Sequence, residues 1–592
     1  MQSRLSPADL QALIAAARGR RKCDTVVRGG HVLNVFTGET TRHNIGIVGK
    51  YIAVVDGGDA EIEADRVIEA DNLFLVPGFI DGHVHLESSL LTPAEFARMV
   101  LPLGTTAVVI DAHEIANVAG TEGIRELMRV SEGLPLTFYF MIPPCVSASE
   151  LDTSGARLDA SDMAEFAGSA HVLGVGEAMD YRGILDGREE ALEKLMSIPH
   201  GVIDGHAPHL TGRDLQAYAA AGITSDHEST NPWEALEKLR AGMYVMIREG
   251  SAARNLDDLA RLVNPHTGDR CLLVTDDLLP TDLEERGHLN YLLSRMVHRG
   301  VGPAQAVRMA TFNAARRFGI GRAGAIAPGY AADIAVLEDL SDFRAALVIA
   351  KGQLAAADGE LVLPIHVRRF SRDLAHTVHL PDLQLEDLAI PAGDGEARVI
   401  EAIEGQIVTR QLTVRPAILA GRVAADIEND ILKIAVVERH GKSGRVGLGL
   451  IKGFNLKAGA IAGSVSHDSH NVVAVGAGDR DILLAVEHIG EMNGGLAAVA
   501  GGKVVSDLPL PIGGLMSRRS GPVVANELRR LEGAARELGC SMAHPFMTLS
   551  FMCLSVVPEL KLTASGLVDV ERLTIVPLFV GERGKVELAA AG

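Results

Sequence analysis

The chain has 592 residues, more than one core usually holds, so two to four domains are expected. Its composition, 47% hydrophobic and 22% charged, is that of an ordinary globular protein, and it has no apolar run of about 18 residues or more that would span a bilayer. A formal net charge of −20 repels phosphate backbones, which sets nucleic acid and membranes aside as partners and leaves small molecules open.

The first segment, residues 1–21, reads as a short amphipathic helix. Asp9 and Gln11 break its apolar stretch, so it is not a secretory leader, and the cytoplasm is the expected location. The five cysteines (Cys23, Cys145, Cys271, Cys540 and Cys553) are scattered and odd in number, which gives neither a disulfide framework nor a CxxC knuckle.

Residues 22–76 alternate apolar and polar positions between glycine-containing turns, and residues 322–368 return to that style. The two pieces are expected to form one small β-sandwich domain from both flanks of the middle segment. The middle, residues 77–321, alternates strand-like and helix-like stretches as parallel βα units do. Its strand candidates are FIDGHVH, TTAVVIDAHE, LTFYFMIPP, HVLGVGEA, GVIDGHA, GITSDHE, MYVMIRE and CLLVTDD. Eight such units in roughly 250 residues suit an α/β fold of the (β/α)8 TIM-barrel type. The alternative, a doubly wound open sheet, usually carries a glycine-rich phosphate loop, and no GxGxxG or Walker pattern is present. Residues 369–592 mix strands and helices and are expected to form a separate α+β domain.

Barrel enzymes place their reactive groups at the C-terminal ends of the strands. Strand one ends in His83 and His85, which share a face because side chains alternate along a strand. Strand four ends in Glu177, strand five in His206, strand six in His227 and strand eight in Asp276. The intervals are whole βα units: 92 residues from His85 to Glu177, 21 from His206 to His227, and 49 from His227 to Asp276. Four imidazoles and two carboxylates on one rim are N/O ligands suited to Zn, Fe or Mn. They are too many for one catalytic ion that keeps an open position, and suit two divalent ions sharing a bridging carboxylate.

These segments resemble a known group. PGFIDGHVHLES, GVGEAMD, DGHAPHL, TSDHE and TDD are similar to the amidohydrolase superfamily, as are the flanking RGGHVLNVFTGE and GAIAPGYAADIAVL. The likeness is closer to the adenine deaminase family, through HVHLESS, DAHEIANVAG, DGHAPHLTGRDLQAYAAAGITSDHES and MIREGSAARNL, with GLGLIKGFNLKAGAIAGSVSHDSHN and PFMTLSF near the C-terminus. It covers nearly the whole chain.

The resemblance implies hydrolytic deamination of adenine to hypoxanthine and ammonia by a two-metal centre, with Mn or Fe expected and Zn as an alternative. Related cyclic amide hydrolases, the alternative activity, bridge their metals with a carboxylated lysine, where this chain has Glu177. Asp276 is the expected acceptor of the water proton. Glu114 and His113, at the end of strand two, are expected to serve N1 and the substrate. Arg248, Ser251 and His288 are weaker expected substrate contacts. His209 is expected at the surface. The dense polar run His467-Asp468-Ser469-His470 either closes the barrel mouth or forms a self-contained turn. A homodimer is expected, because two-fold assemblies are commonest.

Overall fold

The computed structural model describes residues 5–57 and 61–581. Residues 1–4 of the expected N-terminal helix lie outside that range, and the helix itself spans Pro7–Ala17.

Eight parallel strands make up the centre: β1 (Phe79–Val84), β2 (Thr105–Asp111), β3 (Thr137–Ile142), β4 (Val172–Ala178), β5 (Val202–Gly205), β6 (Ser225–Asp226), β7 (Tyr244–Arg248) and β8 (Cys271–Val274). β1 to β5 form one five-stranded sheet in sequence order, and β6 to β8 a three-stranded one. Two seams join them into a closed, TIM-like barrel. At the first, the Asp276 N–H donates to the His83 carbonyl (3.0 Å) and the His85 N–H donates to the Asp276 carbonyl (3.2 Å). At the second, the Thr224 N–H donates to the Ile203 carbonyl (3.2 Å), and buried Arg317 binds Asp204, Ser225 and the Ile203 carbonyl.

Runs such as CLLV in β8 and AVVI in β2 are apolar throughout because helices cover their outer face and side chains fill the interior. Every residue of β1, β2 and β8 is buried. The helices begin where local chemistry supplies a start. In Pro232–Arg240, Asn231 accepts the Glu234 N–H and Pro232 takes a first-turn position whose N–H would be unpaired anyway.

The strands expected to make a sandwich hydrogen-bond into one continuous nine-stranded sheet drawn from both flanks of the barrel. Its long strand Cys23–Leu33 pairs with Ala64–Glu69 along its first half and with Phe74–Leu75 along its second. On its other edge the same strand pairs with Thr40–Val48, with a register shift between Val27 and Gly30.

Beyond the barrel, eight strands between Ala397 and Pro509 form a mostly antiparallel sheet, covered by helices Asp479–Glu491 and Gly521–Glu537. One apolar cluster runs from the barrel (Val84, Ile115, Leu278) into this unit (Leu432, Ile512, Leu515). The five cysteines are free and buried, and no helix among the described residues is long and apolar enough to cross a membrane.

Candidate metal centre

All six strand-end residues read from the sequence meet at one place, and all are at most 5% exposed. Glu177 stands in the middle. Its Oε1 lies 3.1 Å from His83 Nε2 and 2.9 Å from His85 Nε2. Its Oε2 lies 2.7 Å from His206 Nδ1 and 3.6 Å from His227 Nε2. Asp276 Oδ1 joins the first group, 3.6 Å from His83 Nε2 and 3.1 Å from His85 Nε2. Each oxygen of one carboxylate therefore faces a different pair of imidazoles.

Local backbone features set this geometry. Gly176 lacks the Cβ that would sit 2.2 Å from Asp111 Oδ2, and that oxygen accepts the Glu177 N–H at 2.7 Å. Asp276 holds a left-handed backbone (φ 59°), uncommon for a residue with a side chain, and its backbone groups are bonded to those of His83 and His85. Between the His206 and His227 ends, buried Lys238 donates to Asp226, Glu234 and the Ala207 carbonyl, while Asp226 accepts the Ala207 and Ser229 N–H groups.

The donor set suits divalent cations. Glu177 Oε1 has two imidazole nitrogens within 3.1 Å yet accepts no well-aligned hydrogen bond. Atoms about 3 Å apart that do not point at one another are the edges expected around a shared cation with bonds of roughly 2.0–2.2 Å. The charge balance agrees. Burial opposes charge on His83, yet hydrogen bonding to Asp276 and Glu177 outweighs it and pushes the imidazole up to about 10. Burial likewise opposes the Glu177 and Asp276 carboxylates. The surrounding imidazoles nevertheless hold both well below the usual carboxylate range, with Arg248 also acting on Asp276. The carboxylates demand positive charge, and a cation satisfies them as protons do.

His113 and Glu114 open the helix His113–Ser131 beside this centre. His113 Nδ1 lies 3.4 Å from Asp111 and 3.9 Å from Glu177 Oε1. Glu114 Oε1 lies 3.1 Å from His85 Nδ1, the far nitrogen of a centre-facing imidazole, an ion-pair contact without an aligned hydrogen bond. Neither Glu114 oxygen has a hydrogen-bond partner.

Three expected substrate contacts meet protein groups instead. Arg248 forks onto Glu228, binds Asp276 Oδ2 at 3.1 Å and donates through Nε to Asn255 at 3.2 Å. Ser251 donates to Asp282 at 2.6 Å. His288 lies away from the cluster, 2.8 Å from Thr105 Oγ1 and 3.3 Å from Asp81. Their sequence positions just past β7 and β8 suggested the mouth, but only the fold shows which way these loops turn. His209 is exposed, with φ 60°.

One group, Glu228, was not anticipated from the sequence, and another, Asp468, was noticed there without a place. Glu228 Oε1 lies 3.3 Å from His227 Nε2 and 3.6 Å from His206 Nδ1. Its signal was the pairing with His227 in TSDHES. Asp468, from the C-terminal unit, comes within 3.5 Å of His113 Nε2. His467, Asp468 and His470 were noticed in the sequence, but nothing there placed them.

Residues 74–355 match the Amidohydrolase family, and residues 406–574 match the Adenine deaminase C-terminal domain. Adenine deaminase 2 of Carboxydothermus hydrogenoformans is 46% identical over 573 residues, 96% of this chain and 99% of that protein. Adenine deaminase of Methanothrix thermoacetophila is also 46% identical over 573 residues, 96% of this chain and all of that protein. Adenine deaminase of Desulfatibacillum aliphaticivorans is 44% identical over 569 residues, covering 96% and 99%.

Proposed function

The chain belongs to the adenine deaminase family and is a hydrolase of a C–N bond, and from that premise we propose how its residues divide the work of converting adenine to hypoxanthine and ammonia. The observation that carries the assignment of roles is Glu177, whose two oxygens face two separate imidazole pairs.

His83, His85 and Asp276 would hold one divalent ion and His206 and His227 the second, with Glu177 between them, Mn or Fe in preference to Zn. Bound there, such ions supply Lewis acidity that makes water a usable nucleophile at neutral pH. Glu228 supports the second position from beside His227, and Arg248 keeps Glu228 and Asp276 ionised and in place.

The two protons of the attacking water supply the two that the reaction needs, one at ring N1 and one on the departing amine. Asp276 takes the first through Oδ1, the oxygen turned to the centre while Arg248 holds Oδ2. The Glu114 carboxylate, which the neighbouring imidazoles hold down to about 2 despite its burial, receives that proton and passes it to N1 through Oε2. His113, between Asp111 and Asp468, carries the remaining hydroxyl proton to the amine, which departs as ammonia as the C6–O bond becomes the carbonyl. The domain division is part of the same reading: a small β domain from 22–76 and 322–368, the barrel 77–321, and a C-terminal unit 369–592 over the mouth.

Metal analysis paired with adenine turnover, before and after chelation, tests the assignment. About two ions per chain and activity lost on chelation and restored by Mn or Fe are expected. A metal-replete enzyme without adenine turnover overturns it.

A further inference from the structure

The segment Ser464–Asn471 connects two adjacent antiparallel strands, Ala460–Gly463 and Val472–Gly476. A polar connection of this kind normally faces water, yet all eight of its residues are buried.

The segment is held from several sides. The His467 N–H donates to the Ser550 carbonyl (3.0 Å), and the His467 ring stacks on Phe551 with centroids 4.5 Å apart and planes within 5°. Buried Lys561 donates to the Phe551 carbonyl (2.9 Å), fixing that ring in turn. Asn471 Nδ2 donates to the Thr153 carbonyl (3.0 Å) on the barrel side.

With the backbone anchored, several side-chain atoms are left without hydrogen-bond partners: Asp468 Oδ2, His467 Nε2 and His470 Nε2, and across from them both oxygens of Glu114. Asp468 Oδ1 is 3.5 Å from His113 Nε2, so this set stands one imidazole away from Glu177. Buried polar atoms are nearly always paired, and a concentration of unpaired ones beside a reactive centre marks where a polar ligand completes them. Carboxylates and imidazoles together call for a ligand with both N–H donors and ring-nitrogen acceptors. A purine edge carries both.

We propose that Asp468, held by His113 and His467, is a specificity-determining residue that accepts a ring N–H of the free base, so that the C-terminal unit rather than the barrel sets the preference for a base over its N9-substituted forms. The inference rests on the adenine deaminase reading of the site. A substituent at N9 both removes that N–H and adds bulk beneath a roof whose residues are all buried.

The test uses the full-length, metal-loaded enzyme with adenine and 9-methyladenine, which lacks a ring N–H. The wild type should favour adenine by at least about 100-fold in kcat/KM, because a site built to bond an N–H rejects an analogue without one. Asp468→Asn and Asp468→Ala should lose activity on adenine mainly through KM, keep wild-type metal content, and reduce the preference to about tenfold or less. Equal losses on both substrates would show a packing role and overturn the proposal. So would a third ion per wild-type chain that disappears in Asp468→Asn, since the cluster would then be a cation site. If the wild type itself fails to turn over adenine, the functional reading fails, and not this inference alone.

Discussion

Two buried histidine–carboxylate groups lie a few residues apart on the same pair of strands, β1 and β8, and they behave in opposite ways. The deeper group is Asp81, Thr275 and His288. Thr275 donates to Asp81 through its hydroxyl (2.6 Å) and its N–H (3.3 Å), and His288 Nδ1 lies 2.8 Å from Thr105 Oγ1. Burial pushes the Asp81 carboxyl up to about 7 and the His288 imidazole down to about 3. Burial thus favours the neutral form of both groups. Two residues further along β1, His83 and His85 meet Glu177 and Asp276, where carboxylates prevail over burial and push His83 up to about 10. The residue types are alike; what differs is whether the carboxylates already have donors. A buried centre short of donors accommodates a cation, and one supplied by hydroxyls does not. Cavity size is no guide either. A cavity of about 1180 Å³ is lined by Thr106, Arg129, His171 and Lys351, and none of the six rim residues lines it.

The contrast can be broken most sharply at Glu177. Glu177→Ala removes the oxygens that serve both imidazole pairs, so metal content should fall below one ion per chain and adenine turnover to background. Retention of two ions would dissolve the distinction between the groups. Next in size is Glu114→Gln, which keeps the shape and the contact to His85 but cannot deliver a proton. Its kcat should drop about 10²–10⁴-fold with both ions retained; loss of metal instead would make Glu114 an orienting group only.

Arg248→Met should follow. It leaves Glu228 and Asp276 buried without their counter-charge, at roughly 3–5 kcal/mol of stability in a denaturant titration and a 10–100-fold loss of metal affinity. His288→Asn should do least. It should leave metal content and turnover within about twofold of wild type, while lowering stability by roughly 1–3 kcal/mol.

The His288 variant also tests charge state. Folded His288 stays neutral down to about 3 against 6.5 for the free group, so the unfolded chain binds the proton first as pH falls. The stability it contributes is full above 6.5 and is lost as pH falls toward 3. Thermal melts of His288→Asn should therefore be less acid-sensitive than wild type across that window. Equal sensitivity would place the titrating group elsewhere.

Much of the site was legible because parallel βα units repeat. A strand end recurs at intervals set by the unit length, so His83, His85, Glu177, His206, His227 and Asp276 could be assigned to one rim from their spacing. Arg248 lay on that rim too, but its role did not follow from position: a guanidinium serves a substrate or a neighbouring carboxylate equally well, and Glu228 decided the matter. Ser251 and His288 sit in loops after the strands, where position along the chain says little about direction in space. The flanking strands were recognised as strands, yet their joining into one nine-stranded sheet rests on the pairing of Phe74–Pro77 with Ile334–Leu337, a contact between distant segments that alternation of residue types does not encode.

The βα repeat, the family resemblance and the convergence of six rim residues follow from local periodicity and short-range spacing, and so were readable along the chain. It took the folded molecule to bring the two Glu177 oxygens against separate imidazole pairs, to set Arg248 on Glu228, and to carry Asp468 to His113 from 355 positions away in the chain. Periodicity governs which face a residue takes on its own element. Which groups meet across elements depends on how buried apolar faces pack, and that packing belongs to the whole chain at once.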